Sequence, residues 1–139
     1  MQPNWSKRSI LIADDDASTH VLLKGILKPT GVGIHSAFNG TEAFSACIEH
    51  PDIELIIMDI RMPEMNGIEA TRMIRKYQKT LPIVVYSALH QSEYKHLMKK
   101  LNCEDFLIKP VHPDLILSTL SKYLDPYTGV KSYYDMFLA

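Results

Sequence analysis

Short, continuously apolar runs alternate along this chain with longer stretches whose apolar residues recur at helical spacing. That alternation is the signature of repeated βα units around a parallel sheet. The first run, Ser9–Ala13, is unbroken rather than alternating, as expected of a strand covered on both faces. A helix from about Ala17 to Lys28 follows, with Pro29 stopping it because proline cannot continue the hydrogen-bond ladder. Gly33–Ala37 is a weaker second strand, and Asn39-Gly40 turns the chain into a helix over about Thr41–His50 with Ala43, Ala46 and Cys47 on one face. Leu55–Met58 is the most apolar strand candidate. After the loop IRMPEMNG, a helix from about Gly67 places Ala70, Met73, Ile74 and Tyr77 inward at i, i+3, i+4, i+7. Pro82–Tyr86 predicts a fourth strand, and the next helix turns Tyr94, Leu97, Met98 and Leu101 inward. Asp105–Ile108 is the fifth strand. The last helix starts at Pro113, a favoured first helical position, and runs to about Leu124 with Ile116, Leu120, Tyr123 and Leu124 inward.

Five βα units thus account for residues 8–124, which we read as one domain. Residues 125–139 carry Pro126 and Gly129 and then the apolar cluster Tyr133, Tyr134, Met136, Phe137 and Leu138. They read as a C-terminal tail packed on the domain or on a partner, or as a linker stub. Nothing in that stretch has the length for a helix-turn-helix, so no direct DNA binding is expected of it.

Composition narrows the class without selecting a partner. The 139 residues are 46% hydrophobic and 22% charged, with a net charge of −1 and a pI near 6.6. A nucleic-acid binder normally shows a basic face or a much higher pI. The cluster Lys95, His96, Lys99 and Lys100 reads as a solvated helix face. No apolar run approaches the roughly 20 residues that cross a bilayer, and Met1–Ser9 is polar, unlike a secretory signal. Cys47 and Cys103 both fall in helix-like stretches with no metal-ligand spacing and read as reduced, packed thiols of a cytoplasmic protein. His20, His35 and His112 likewise lack paired metal spacing and read as packed or solvent-facing.

The chemistry lies at the strand ends, where open parallel sheets bind their ligands. Asp14, Asp15 and Asp16 follow strand one, Asp59 follows strand three, Ser87 follows strand four and Lys109 follows strand five. Asp16 suits an N-cap of the first helix. Three carboxylates from Asp14, Asp15 and Asp59 cannot all stay ionised side by side without compensation. A hard divalent cation relieves the repulsion, and Mg²⁺ accepts one or two carboxylates while leaving room for a phosphate oxygen. A carboxylate can attack phosphorus, and phosphoryl transfer needs chiefly positioning and neutralisation of the equatorial oxygens. Cation, lysine and hydroxyl would supply those contacts.

ILIADDD, MDIRMPEMNG, VVYSA and FLIKP, in this order, resemble the receiver domain of two-component response regulators over about Arg8 to Leu124. The resemblance implies a flavodoxin-like (βα)5 fold, a five-stranded parallel doubly wound sheet of order 2-1-3-4-5. It implies a signalling phosphoacceptor rather than an enzyme, one that assists its own phosphorylation and dephosphorylation. Asp59 would be the phosphoacceptor; Asp14, Asp15, Asp59 and the backbone carbonyl of Arg61 would hold Mg²⁺, with Mn²⁺ as a substitute. Ser87 and Lys109 would contact the phosphoryl group, and Ser87 and Phe106 would form the switch. Implied partners are a sensor histidine kinase or a histidine phosphotransfer protein, and a downstream protein target or output domain reached through the helix 4/strand 5/helix 5 surface. A homodimer is a further option, and no membrane partner is expected. Ser87 stands where Thr is also common, Phe106 where Tyr is frequent, and Asn102-Cys103 where Gly-Ala is usual. Arg61 and Leu89 occupy positions that tune autodephosphorylation, and apolar Leu89 predicts a persistent phosphoryl group.

Two other readings remain open at this point. A phosphohydrolase of the haloacid dehalogenase type would use Asp14 as nucleophile, since Asp14–Ser18 resembles its first motif. That reading lacks an acidic pair after Lys109, where Asp114 stands alone, and leaves Asp59 unexplained. A receiver-like protein-binding module that is never phosphorylated is the other, although every acidic, hydroxyl and lysine position is filled.

Overall fold

The computed structural model describes residues 2–88, 92–103 and 105–125. The expectations placed on Leu89 and on residues 126–139 lie outside the described residues. Five strands, β1 (Ser9–Ala13), β2 (Gly33–Ala37), β3 (Ile53–Met58), β4 (Ile83–Ser87) and β5 (Asp105–Ile108), form one sheet of order β2-β1-β3-β4-β5. Every neighbouring pair is parallel. Five α-helices alternate with them: α1 (Ala17–Leu27), α2 (Gly40–Glu49), α3 (Gly67–Arg75), α4 (Ser92–Lys100) and α5 (Pro113–Leu124). This is the flavodoxin-like, doubly wound arrangement expected from the sequence. Among the described residues, no helix is long and apolar enough to cross a membrane.

Period-two side-chain alternation divides each central strand between two core layers. Leu11, Ala13, Ile56 and Met58 pack with Ala43 and Cys47 of α2, Ala70 and Ile74 of α3 and Met98 of α4. Ile10, Ile12, Leu55 and Ile57 pack on the other face with Leu23 and Leu27 of α1 and Ile116, Leu120 and Leu124 of α5. Burial on both faces is why β1 and β3 read as unbroken apolar runs. Trp5 joins the second layer, 1% exposed, and its Nε1 donates to Asp125 at the C-cap of α5 over 2.8 Å.

The capping signals worked locally. The Asp16 carboxylate accepts from the Ser18 amide at the start of α1, Asn39 from the Glu42 amide at α2, and Asn66 from the Glu69 amide at α3. Asn102 follows the turn after α4 with φ of +63°, a left-handed conformation that asparagine tolerates better than most residues. That geometry accounts for its standing where glycine is usual.

Several boundaries and faces differ from the expectation. α1 ends at Leu27, and Pro29 sits in a 3₁₀ turn, Lys28–Thr30. β3 begins at Ile53, two residues early, and β4 runs one residue later, so that Ser87 is its last residue. Pro82 stays outside β4 but still serves the sheet, its carbonyl accepting from the Ile56 amide. Tyr77 is not inward: α3 stops at Arg75, and Tyr77 lies beyond it, 66% exposed and tilted against Phe44. Cys103 is not helical, because α4 ends at Lys100, though it is fully buried. Both cysteines are free, and burial pushes each thiol up to about 11. Lys95, His96, Lys99 and Lys100 are exposed, as a solvated helix face should be.

Candidate functional site

The carboxyl ends of four strands converge on one cavity, lined by Asp14, Asp15, Asp16, Asp59, Arg61, Ser87, Ala88 and Lys109. Asp14 follows β1 and Asp59 follows β3, two adjacent interior strands, so both carboxylates are buried at 2% and 6% exposure. Asp15 and Asp16 are exposed. The Asp59 amide donates to the Ala13 carbonyl and the Asp14 amide to the Ala37 carbonyl, each extending the ladder one step past the strand. The acidic groups are therefore fixed by sheet hydrogen bonds and not by a free loop.

Each carboxylate has partners. The Asp14 Oδ1 accepts from the Asp16 amide at 2.9 Å, and its Oδ2 accepts from the Lys109 ammonium at 2.6 Å. The Asp59 Oδ1 accepts from the Ile60 amide at 2.8 Å, and its Oδ2 lies 3.5 Å from the Lys109 Nζ. Lys109 thus bridges the two acids and leans toward Asp14. Burial raises the Asp59 carboxyl above its ordinary value, and the charge of Asp14 raises it further. Lys109, the Ser87 hydroxyl and the Ile60 amide oppose the rise without cancelling it. For Lys109 burial works downward, but the hydrogen bond to Asp14 and the charges of Asp59 and Asp14 outweigh it and leave the ammonium raised. Lys109 also lies 5.5 Å from the centre of the Tyr86 ring.

Asp14, Asp15 and Asp59 each offer a ligand oxygen, and these atoms lie within 4.8 Å of one another. An all-oxygen set with one buried carboxyl held above its usual range is an environment that a hard divalent cation would relieve. The donor set fits Mg²⁺. Arg61 is exposed at the rim of the same cavity. Phe106 lies on β5 in register with Val85 of β4, half-buried and packed on the α2–α4 core layer, with the Lys95 Nζ 5.9 Å from its ring centre.

Two further residues support the site: His20, read from the sequence as packed or solvent-facing, is packed, and Gly67 was read only as the end of a loop motif and the start of a helix. His20 is 3% exposed, its Nε2 lies 2.8 Å from the Asp14 carbonyl oxygen, and its ring stacks on Phe38 at 4.3 Å. Nothing in the sequence marks this beyond its place one turn into α1. Gly67 packs so closely on the Asp59 carbonyl that a Cβ there would meet that oxygen at 2.1 Å. Its amide also donates to the Ile60 carbonyl, tying the start of α3 to the loop after Asp59. The Asn66-Gly67 pair was the available signal, read there as part of a loop motif.

A family model described as the response regulator receiver domain matches residues 10–121. The chain is 38% identical over 117 residues to the chemotaxis protein CheY of Thermotoga maritima, covering 83% of this chain and 96% of that protein. It is 30% identical over 127 residues to the CAI-1 autoinducer sensor kinase/phosphatase CqsS of Vibrio cholerae, covering 89% of this chain but only 18% of the kinase. Among solved structures, the CheX-CheY-BeF3-Mg+2 complex from Borrelia burgdorferi contains a similar chain. The two superpose with a TM-score of 0.78 at 25% identity, covering 93% and 96% of the respective chains.

Proposed function

This chain belongs to the response regulator receiver family, and from that premise we propose that it is a phosphorylation switch whose acceptor is Asp59. The observation that carries the reading is the bridge of Lys109 between Asp14 and Asp59 at the carboxyl ends of three strands. Lys109 lies 2.6 Å from Asp14 but 3.5 Å from Asp59, so of the two buried acids Asp59 is the less tightly paired with the lysine.

The steps follow from the residues present. A phosphohistidine on a kinase or phosphotransfer protein presents its phosphorus to the Asp59 carboxylate. The oxygen–phosphorus bond forms as the phosphorus–nitrogen bond breaks, and the imidazole leaves with its electron pair. Lys109 and Ser87 take phosphoryl oxygens, neutralising charge that would otherwise repel Asp14. Asp14, Asp15, Asp59 and the Arg61 carbonyl would hold Mg²⁺. When bound, that ion supplies charge compensation to the carboxylates and to the phosphoryl oxygens. The similar chain solved in a CheX-CheY-BeF3-Mg+2 complex supports this chemistry.

Once the phosphoryl group is attached, its oxygens draw the Ser87 hydroxyl away from the rest of β4's end. Phe106, alongside on β5, then has room to turn inward, which changes the α4–β5–α5 surface presented to a downstream protein. The two arrangements need differ by only a few kcal/mol for a ligand of this charge to move the balance. Residues 8–124 form the receiver unit in this reading, and 125–139 a tail.

The test is intact mass after incubation with acetyl phosphate and Mg²⁺, beside Asp59→Asn, Asp14→Asn and a chelated control. A metal-dependent gain of one phosphoryl group, absent in Asp59→Asn, is the expected outcome. A gain that survives Asp59→Asn but vanishes with Asp14→Asn would favour the hydrolase reading. No gain in any sample would favour an unphosphorylated binding module.

A further inference from the structure

We propose that His35, His50 and Asp52 form a second cation site, distinct from the aspartate cavity, that takes a divalent transition ion of the zinc class. The three residues come from separate elements: His35 from the middle of β2, His50 from the C-cap of α2, and Asp52 from the turn before β3. Each offers one ligand atom, two imidazole nitrogens and a carboxylate oxygen, all within 4.8 Å of one another. The His35 Nε2 lies 3.1 Å from the Asp52 Oδ2, and the His35 and His50 rings stack at 4.2 Å with 24° between their planes.

The placement has a structural cause. His35 is in register with Leu11, whose side chain faces the α2 layer, so the same pleat turns His35 toward the end of α2. There α2 terminates at His50, with its amide on the Ala46 carbonyl, and the chain turns at once into β3. Both histidines are half-buried, which limits their rotamers, while Asp52 stays open to water.

The ligand set separates this corner from the site at the other end of β3. Two imidazoles and one carboxylate suit zinc and its neighbours and leave a coordination position open. Mg²⁺ prefers an all-oxygen set. With metal–ligand bonds of about 2.1 Å, tetrahedral ligand atoms sit about 3.4 Å apart, so binding requires the stacked His35 and His50 rings to turn until both nitrogens face one ion. Cys47 and Cys103, buried and held as thiols, do not compete for the ion.

The experiment is calorimetric titration of Zn²⁺ into the full chain in excess Mg²⁺, which keeps the aspartate cavity occupied. One equivalent binding at micromolar concentration or tighter is expected. His50→Gln and Asp52→Asn should each weaken it at least tenfold, and Asp15→Asn should leave it unchanged. Asp52 is exposed and outside the core, so its variant keeps the fold, which circular dichroism would verify for both. Loss of binding in Asp15→Asn with none in the other two would overturn the assignment, as would the absence of saturable binding at micromolar zinc.

Discussion

The central strands and the edge strand β5 hold the site's groups in different settings. β1 and β3 are buried on both faces from their second or third residue onward, and each delivers a carboxylate at its carboxyl end. β5 is four residues long, with Asp105 and Phe106 half-buried, Leu107 buried and Ile108 exposed at 42%. Lys109 hangs from this thinner strand. The lesson is mechanical: the acids are anchored, and the lysine that answers them is mounted where movement costs less. The Asp105 carboxylate accepts from side chains of α5, Lys122 at 2.7 Å and the Tyr123 hydroxyl, so β5 and α5 would shift together.

Deletion of core volume should separate the two settings most strongly. Ile12→Ala, at a fully buried position on β1, should cost about 4 kcal/mol in chemical denaturation. Phe106→Ala on β5 should cost about 1 to 2 kcal/mol, because that ring is only partly removed from water. Equal losses would contradict the distinction. Gly67→Ala comes next. Its methyl must displace the Asp59 carbonyl backbone, so a loss of about 3 kcal/mol is expected, together with slower phosphoryl uptake.

Lys109→Met should cost about 2 kcal/mol at neutral pH, since it leaves two buried carboxylates without their shared cation. Added Mg²⁺ should restore part of that loss, which thermal melts with and without the ion would reveal. Asp59→Asn should have the smallest effect and the opposite sign, a gain of about 1 kcal/mol in metal-free buffer at pH 7. Its folded carboxyl lies above the unfolded value of about 3.9. Proton linkage then makes the native state comparatively stable below the unfolded value and removes that stability as pH rises through the folded one. The advantage of the asparagine variant should therefore disappear as the pH is lowered to about 4, and melts across that range would show it.

How much of this was legible in the sequence depends on whether a feature is local. The carboxyl ends of β1, β2, β3 and β5, the Asp16 cap and the βα alternation are written in neighbouring residues, and they stand where expected. The inward expectation for Tyr77 failed because a 3.6-residue period continues on paper past the point where the backbone has left the helix. Cys103 failed for the same reason after α4. His35, His50 and Asp52 share no spacing that a one-dimensional reading could notice, since a strand, a helix cap and a turn bring them together. The lean of Lys109 toward Asp14 over Asp59 is likewise a product of three strands meeting, and it could not be read from the motifs that contain those residues.

The most direct test of the central claim is to locate the modified residue itself. Borohydride reduces an aspartyl phosphate to homoserine, so the chain would be treated with acetyl phosphate and Mg²⁺, reduced, digested and mapped by tandem mass spectrometry. The account predicts homoserine at position 59 and aspartate retained at 14, 15 and 16. Homoserine at position 14, or at none of these positions in a sample whose intact mass had risen by one phosphoryl group, would contradict it.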